Sequence, residues 1–237
     1  MPKTRKPKTK TRTKPSRSKK QPPPPATKEP PTESSLICFW TPHQPHGIFS
    51  QWYPSTFTVP ATAFSTFLAQ SPTTNTTTIT FNCAEQFMMY CKALHFSDAA
   101  SAASILAAPD PQTQKALGRQ VANFDDERWK EVREKIVEEA SWYKFTVDEA
   151  LRKGLLETGV RELVEASPRD RIWGIGFGAR NAEASRARWG LNLLGKALMK
   201  VRGRIAEGEK VEAARGEGGK EEGAQEEEGE EVPSETA

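Results

Sequence analysis

The chain has 237 residues and a formal net charge of +3, and this length predicts one or two domains. No run of about 18 apolar residues is present, which argues against a membrane-spanning segment and a membrane partner. The start of the chain is charged but has no apolar stretch, so it does not resemble a secretory signal. Three cysteines are too few to predict a disulfide framework, and we expect reduced thiols and a cytoplasmic or nuclear protein.

The net charge is the sum of two opposed ends. Residues 1–34 contain 11 Lys and Arg against 2 Glu, whereas residues 207–237 contain 12 Glu against 3 Lys and Arg. Neither end has enough large apolar residues to form a core, so both are predicted to be disordered tails. The basic, Pro-rich end is typical of a nuclear-import signal or of an arm that contacts nucleic-acid phosphates, or it is a solvated tail with no fixed role. One domain is predicted over residues 36–205.

The first half of this domain contains short strands and one well-marked helix. LICFW, from Leu36, and TITF are typical of strands, and a Thr-rich loop fills much of residues 61–80. From Cys83 to Phe96, apolar residues recur at helical spacing and predict a core-facing stripe. Glu85 and Lys92 fall together on a neighbouring side of this helix. They are either two surface charges or an acid and an amine that share one wall of a pocket.

Helices dominate the second half of the domain. Spacing and turn residues predict helices over 98–107, 125–140 and about 147–157, and a last helix from Trp189 to Ile205. A short strand, RELVEAS, precedes the last helix. Strands do not alternate with helices as they do in a parallel α/β sheet, so the predicted fold class is α+β: a mainly helical single domain with a small β-sheet.

The segment from Ser167 to Gly178, SPRDRIWGIGFG, has the least ordinary composition of the chain. An acid, Asp170, and an indole, Trp173, lie three residues apart beside Gly174 and two further glycines. This combination predicts either a binding site for a sugar–base compound, or a buried tryptophan at a strand start next to a turn-capping aspartate. No P-loop, Rossmann fingerprint, nucleophile elbow or HExxH motif is present. Any chemistry therefore falls to carboxylates, amines and aromatic rings, and no metal or redox cofactor is expected.

Several of these segments together resemble one known family. In chain order they are CAEQFMMYCKALHFSD, QKALGRQVANFDDERW, LLETG, LVEASPRDRIWGIGFG and WGLNLLGKALMKVR. In this order and at these distances they resemble the NADAR domain, also called YbiA-like, across about residues 36–205. The SQWY sequence from Ser50 to Tyr53 is similar to that of fungal members. The resemblance implies a compact α+β domain.

The resemblance also implies an activity. Members of the family are N-glycosidases: some cleave the bond between ribose 5-phosphate and the amine of early riboflavin-pathway intermediates, and others remove ADP-ribose from modified guanine bases. We therefore expect an N-glycosidase that acts on a small ribosyl-phosphate compound. The alternatives are an ADP-ribosyl-guanine hydrolase acting on nucleic acid, a non-catalytic module that binds ADP-ribose or a nucleotide, and a nucleic-acid protein dominated by its basic N-terminal arm.

By position, the family's functional residues fall on Glu85, Lys92, Trp129, Asp170 and Trp173. Two carboxylates can divide the work of cleaving an N-glycosidic bond. The resemblance thus implies that one of Glu85 and Asp170 positions water or steadies the sugar carbon, and that the other protonates the leaving group. The two indoles would stack on the base, and Lys92 would hold a phosphate or form a Schiff base. Further candidates for substrate binding are Lys115, Arg119, Lys144 and Gly174.

Two departures from the family pattern bear on the site. Gln51 stands where many bacterial members have Asn after the Ser of an early G-x-x-S-N-F stretch. The loop of about 61–80 is longer and richer in Thr than usual, and it enters just before Glu85. We therefore expect this loop to alter access of the substrate.

Overall fold

The computed structural model describes residues 35–68 and 76–221, with side chains as far as residue 212. Its strands are β1 (Leu36–Phe39), β2 (Phe57–Pro60), β3 (Thr78–Phe81) and β4 (Glu162–Glu165). Its α-helices are α1 (Ala84–His95), α2 (Ala99–Ala107), α3 (Pro111–Gly118), α4 (Asp126–Val147), α5 (Glu149–Leu156) and α6 (Leu193–Glu221). The predicted fold class, α+β with helices in the majority, is confirmed.

The strands form two separate two-stranded sheets. β1 and β4 pair in parallel, from Leu36 opposite Glu162 to Phe39 opposite Glu165, and β2 pairs antiparallel with β3. Because parallel strands end at the same edge, the chain that follows Phe39 and the chain that follows Glu165 leave the sheet side by side. This edge supplies one side of the cavity described below.

Helix α1 occupies the centre of the core, where it packs against α2, α3 and α4. Phe87, on its apolar face, packs in a cluster of aromatic rings with Phe64 and Phe81, and all three are fully buried. Phe87 lies 5.1 Å from Phe81 in an edge-to-face arrangement and 5.8 Å from Phe64, measured between ring centroids. Close packing of this kind leaves α1 little freedom to shift or rotate. The polar residues of α1 are therefore held at fixed positions.

The segment that follows β4 is irregular and contains no strand between residues 166 and 178, so the strand start considered at Trp173 is wrong. Backbone hydrogen bonds from the chain before and within α6 hold this segment instead. Leu193 N donates to Ile172 O (3.1 Å) and Leu194 N donates to Trp173 O (3.1 Å). The first N–H groups of a helix have no partner within it, so α6 satisfies them with carbonyl groups of this segment.

Helix α6 differs from its predicted span at both ends. It begins at Leu193, not at Trp189, because Asn192 has a left-handed backbone (φ 50°) that helical residues do not adopt. It continues to Glu221, so the first part of the tail predicted from 207 is helical. Glu, Ala and Lys favour helix, and Glu209 Oε1 also lies 3.7 Å from Arg152 Nε of α5.

Residues 1–34 and 222–237 lie outside the described part of the chain, as do residues 69–75 of the Thr-rich loop. The predicted disordered tails and the predicted effect of that loop on access stay predictions. Within the described residues, no helix has both the length and the apolar content needed to cross a bilayer.

Candidate active site

A cavity of about 780 Å³ opens beside α1, within the size range of small-molecule sites. Its walls come from α1, α3, the start of α4, the chain that follows β1 and the segment that follows β4. The predicted site residues that line it are Glu85, Lys92, Lys115, Arg119, Trp129, Asp170 and Trp173. Residues far apart in the sequence thus meet in one concave site.

Glu85 lies in the first turn of α1 and is 2% exposed. The helix begins here because Cys83 is extended, and the backbone N–H of Glu85 is satisfied by Gln51 O at 3.1 Å. Gln51 itself lines the cavity, and its side-chain amide donates to Met88 Sδ at 3.6 Å. Within the described residues, Glu85 Oε1 is buried and has no hydrogen-bond partner. That oxygen is therefore free to meet a substrate or a water molecule.

The electrostatic environment of Glu85 places its titration near neutral pH. Burial raises the pKa of the carboxyl to about 7, against the opposing charges of Lys115 and Arg119 and a hydrogen bond from Trp52. The charge of Asp170 raises this pKa further. A carboxyl group that titrates near pH 7 inside a cavity is suited to proton transfer.

Lys92 lies two turns further along α1, and it faces the same cavity as Glu85. Its Nζ donates to Gly118 O at 2.7 Å and lies 4.0 Å from the centroid of the Phe124 ring and 6.0 Å from that of Trp129. Burial, followed by the charge of Arg119, lowers the pKa of the ammonium group. Of the two interpretations of Glu85 and Lys92, the structure favours one shared pocket wall over two surface charges.

Asp170 caps a turn, as one of the two interpretations of the sequence predicted, and it also lines the cavity. Its Oδ1 accepts hydrogen bonds from Ile172 N and Trp173 N, both at 2.8 Å, which makes it the cap of a tight turn. Both Asp170 and Trp173 also line the cavity. One carboxyl oxygen thus fixes the position of the indole. The acid has its other oxygen, Oδ2, for further contacts.

The structure does not bring Lys144 or Gly174 to the cavity surface. Lys144 is 2% exposed, and its Nζ donates to Ser50 O at 2.9 Å; burial lowers the pKa of this lysine to about 7. Because Ser50 lines the cavity, Lys144 supports that wall from behind. Gly174 has a packing role, since a Cβ atom there would lie 2.7 Å from Glu165 O.

Sequence reasoning missed Glu165, the last residue of β4, whose side chain lines the cavity. Its Oε2 is buried and has no hydrogen-bond partner within the described residues. Burial raises the pKa of this carboxyl to about 8, and the charges of Asp170 and Glu85 act in the same direction, while Lys115 opposes them. The sequence offered little indication of this position, because Glu162 and Glu165 are the two ends of a short strand and glutamates at strand ends are typically exposed to solvent.

Trp52 was also missed as a site residue. It lies in the SQWY sequence and lines the cavity, where its side chain lowers the pKa of the Glu85 carboxyl. Lys115 Nζ lies 5.7 Å from the centroid of its ring, within the range of a cation–π contact. Trp52 thus lies beside both the acid and a neighbouring cation, which only the folded chain brings together.

The protein is a small α+β domain with a cavity that is lined by carboxyl groups, amines and indoles. Residues 38–206 match the family model of the NADAR domain, and the chain belongs to that family. It is 40% identical over 159 residues to an N-glycosidase of Acanthamoeba polyphaga mimivirus, a match that covers 65% of this chain and 85% of that protein. It is 34% identical over 166 residues to an N-glycosidase of Nostoc punctiforme, covering 70% and 90%.

Two further similarities concern substrate and fold. A riboflavin biosynthesis protein of Vibrio vulnificus is 27% identical over 171 residues, which are 72% of this chain and 39% of that protein. The NMR structure of the E. coli protein YbiA superposes with a TM-score of 0.57 at 25% identity and covers 75% of this chain and 88% of that one. The predicted family and YbiA-like fold are confirmed, and the chain is a hydrolase that acts on N-glycosyl bonds.

Proposed function

We propose that this enzyme hydrolyses the N-glycosidic bond of a ribose-phosphate compound, specifically a ribosylaminopyrimidine phosphate of the riboflavin pathway. The observation that carries the proposal is the Glu85 carboxyl, which is buried with a free oxygen in a cavity that is also lined by four indoles and several cations. The relative that is named a riboflavin biosynthesis protein supports this substrate class.

The cavity offers a partner for each part of such a substrate. Cleavage builds positive charge on the sugar carbon C1′ and negative charge on the leaving nitrogen, so a carboxylate near C1′ stabilises the transition state. Glu85 takes this role, and it also orients the attacking water. Trp129 and Trp173 are available to stack on the base. Lys115 and Arg119, which line the α3 side of the cavity, bind the phosphate in this proposal.

Lys92 admits two roles, which one experiment separates. Its amine either binds phosphate or forms a Schiff base with the opened sugar aldehyde, and burial that lowers its pKa favours the second role. Borohydride added during turnover reduces a Schiff base to a stable adduct. A mass increase on Lys92 by one reduced sugar phosphate would establish the covalent route, and an unmodified Lys92 at full turnover would assign it to phosphate binding.

The proposal is tested by product formation from two substrates, a ribosylaminopyrimidine 5-phosphate and ADP-ribosylated guanine DNA. We expect purified wild-type enzyme to release ribose 5-phosphate from the first, and Glu85→Gln to abolish the release. Glu134→Gln, on an exposed part of α4, is the matched control and should behave as wild type. Release of ADP-ribose alone would replace this proposal with the second candidate below.

The second candidate is an ADP-ribosyl-guanine hydrolase that acts on nucleic acid. One observation favours it: four exposed arginines, Arg169, Arg171, Arg180 and Arg188, follow β4, and none of them forms an ion pair within the described residues. Arg169 also lines the cavity. Arginines that form no ion pair can bind phosphates, and such binding weakens as salt increases. Single-stranded DNA binding that weakens steeply with salt, together with ADP-ribose release, would favour this candidate.

A non-catalytic module would show tight binding of ADP-ribose without turnover of either substrate.

Two narrower assignments accompany the proposal. We place the chain in the fungal form of the family on its SQWY sequence, and we place the protein in the cytoplasm or nucleus on its reduced thiols and basic N-terminal residues.

A further inference from the structure

The cavity contains a third carboxyl group, that of Glu165, for which the proposed mechanism has no role. The backbone of this residue is firmly held: Glu165 N donates to Asn192 Oδ1 at 3.1 Å, and Glu165 O accepts from Ile175 N at 3.0 Å. Its side chain lines the cavity, and its Oε2 is buried without a hydrogen-bond partner in the described part of the chain. A buried polar atom left unpaired is costly, so a fixed carboxyl in this state is suited to meet a ligand.

Asp170, the other candidate for the acid, is occupied differently. Its Oδ1 already accepts two backbone hydrogen bonds, from Ile172 and Trp173. Those two bonds hold the turn, and within the described residues no oxygen of Asp170 is among the buried side-chain atoms that have no hydrogen-bond partner. Asp170 is therefore suited to hold the turn and the indole, whereas the unpaired carboxyl oxygen of Glu165 is suited to meet the leaving group.

We propose that Glu165 is the catalytic general acid, which donates its proton to the leaving nitrogen, and that Glu85 is its partner carboxylate at the sugar. This assignment rests on the proposed N-glycosidase function and replaces Asp170 as the proton donor. It uses the two carboxyl groups of the cavity that each have one buried oxygen atom, Glu85 Oε1 and Glu165 Oε2, with no hydrogen-bond partner among the described residues.

The surroundings of the two glutamates separate their protonation states. Glu85 has two neighbouring cations, Lys115 and Arg119, and a hydrogen bond from Trp52, all of which favour its ionised form. Among the described residues, Glu165 has Lys115 in favour of its ionised form, whereas Asp170 and Glu85 itself oppose that form. Because more neighbouring groups favour the ionised form of Glu85 than that of Glu165, Glu85 loses its proton first. A divergence of this kind is the usual mark of a base and an acid in one site.

The two glutamates move protons in opposite directions during hydrolysis. The C1′–N bond breaks, its electron pair stays on nitrogen, and the nitrogen takes the proton of the Glu165 carboxyl. The oxygen of water bonds to C1′, and the water gives a proton to the Glu85 carboxylate. The products are the free sugar phosphate and the amine. A proton then returns through solvent from Glu85 to Glu165, so the enzyme regains its starting state.

The decisive test varies the need for a proton on the leaving group. An amine requires protonation, whereas nitrophenolate leaves without it. We therefore compare a ribosylaminopyrimidine 5-phosphate with 4-nitrophenyl ribofuranoside 5-phosphate in wild type, Glu165→Gln and Glu85→Gln. Loss of a general acid typically costs about 10²- to 10⁴-fold in kcat. We expect that loss for Glu165→Gln with the amine and less than about tenfold with the nitrophenyl compound, whereas Glu85→Gln should lose both activities.

The control is Glu162→Gln, which removes the same group at the other end of β4, outside the cavity lining. Equal losses of Glu165→Gln on both substrates at an unchanged Tm would overturn the acid role, as would full activity on the amine. Infrared spectroscopy adds a readout that does not require turnover: a protonated-carboxyl band at about pH 7.5, absent from Glu165→Gln. If wild type cleaves neither substrate but shows this band, the proposed function fails and the protonation of Glu165 stands. If the band is missing, the inference fails even in an active enzyme.

Discussion

Two walls of the cavity face each other, and they are held in different ways. The α1 wall belongs to a helix that is packed on three others, and Glu85 is fixed because the helix around it is buried. The wall that follows β4 has no regular structure between residues 166 and 178. It is held by single polar contacts, such as the cap made by Asp170 and the hydrogen bonds between Asn192 and the backbone of β4.

This difference decides on which wall a substitution can change activity without changing stability. On the α1 wall, the reacting carboxyl can be altered without disturbing the fold, because apolar packing holds the helix. On the opposite wall, one side chain often does both jobs, so a substitution there changes geometry and charge together. Variants of the α1 wall should therefore separate activity from stability, and variants of the opposite wall should not, unless the substitution preserves the hydrogen bonds.

Glu85→Gln should produce the largest effect. We expect kcat to fall by about 10²- to 10⁴-fold because the carboxylate at the sugar is lost. The folded-state pKa of about 7 lies above the ordinary value of 4.5, so the wild type loses stability as pH rises between these values. Glu85→Gln removes that loss, and its Tm at pH 8 should exceed that of the wild type, with little difference at pH 4. Thermal unfolding at the two pH values checks this. A lower Tm at pH 8 would show that the fold of α1 depends on the carboxylate.

Asp170 provides the matching test on the opposite wall, with two variants. Asp170→Asn keeps an oxygen that can accept from Ile172 N and Trp173 N, so its Tm should stay close to wild type, while the lost charge lowers kcat/KM by about 10- to 100-fold. Asp170→Ala removes the cap as well and should cost about 1 kcal/mol of unfolding free energy. Full activity in Asp170→Asn would reduce the role of Asp170 to holding the turn.

The two walls also differ in how far the sequence could predict them. Apolar residues at helical spacing identified α1 and placed Glu85 and Lys92 on one side, because periodicity is a local property. No periodicity exists after β4, and there Asp170 and Trp173 emerged only from unusual composition and from the family resemblance. Glu165 was missed because its burial depends on β1, which lies far away in the sequence and pairs with β4.

The same dependence on distant packing explains why Lys144 and Gly174 do not line the cavity. It also explains why α6 continues past its predicted end. Lys144 was considered a phosphate ligand on charge alone, but its helix turns the amine towards Ser50. Whether a lysine on a long helix faces a cavity or the interior depends on what packs there. The acidic residues after 207 have a composition typical of disorder and also a high helix propensity, and continuation of an existing helix avoids the cost of starting a new one.

Trp52→Phe should have a moderate effect on the pH dependence of kcat/KM, and it tests what sets the pKa of Glu85 on the α1 wall. The hydrogen bond from Trp52 lowers the pKa of Glu85, so its removal should raise that pKa. The acidic limb of log kcat/KM should move to higher pH by roughly half a unit to one unit, the equivalent of one hydrogen bond of about 1 kcal/mol. Trp142→Phe, outside the cavity lining, is the control and should leave the limb in place. An unmoved limb in Trp52→Phe would mean that the pH dependence does not report Glu85.

Lys144→Met should change activity least, and it tests whether the wall behind Ser50 needs a charge. Burial lowers the pKa of Lys144 from 10.5 to about 7, so the unfolded chain binds a proton that the folded enzyme lacks between these values. Wild-type stability should therefore rise with pH across that window, and below about pH 7 the buried ammonium costs most. In Lys144→Met this rise should be absent, so the variant gains most over wild type at pH 6 and least at pH 10. Loss of the hydrogen bond to Ser50 O offsets part of the gain by about 1 kcal/mol at every pH.

Tm curves against pH for wild type, Lys144→Met and the exposed control Lys196→Met test whether Lys144 causes this rise in stability. If the curve of Lys144→Met runs parallel to that of wild type, Lys144 is not the group that titrates between pH 7 and 10.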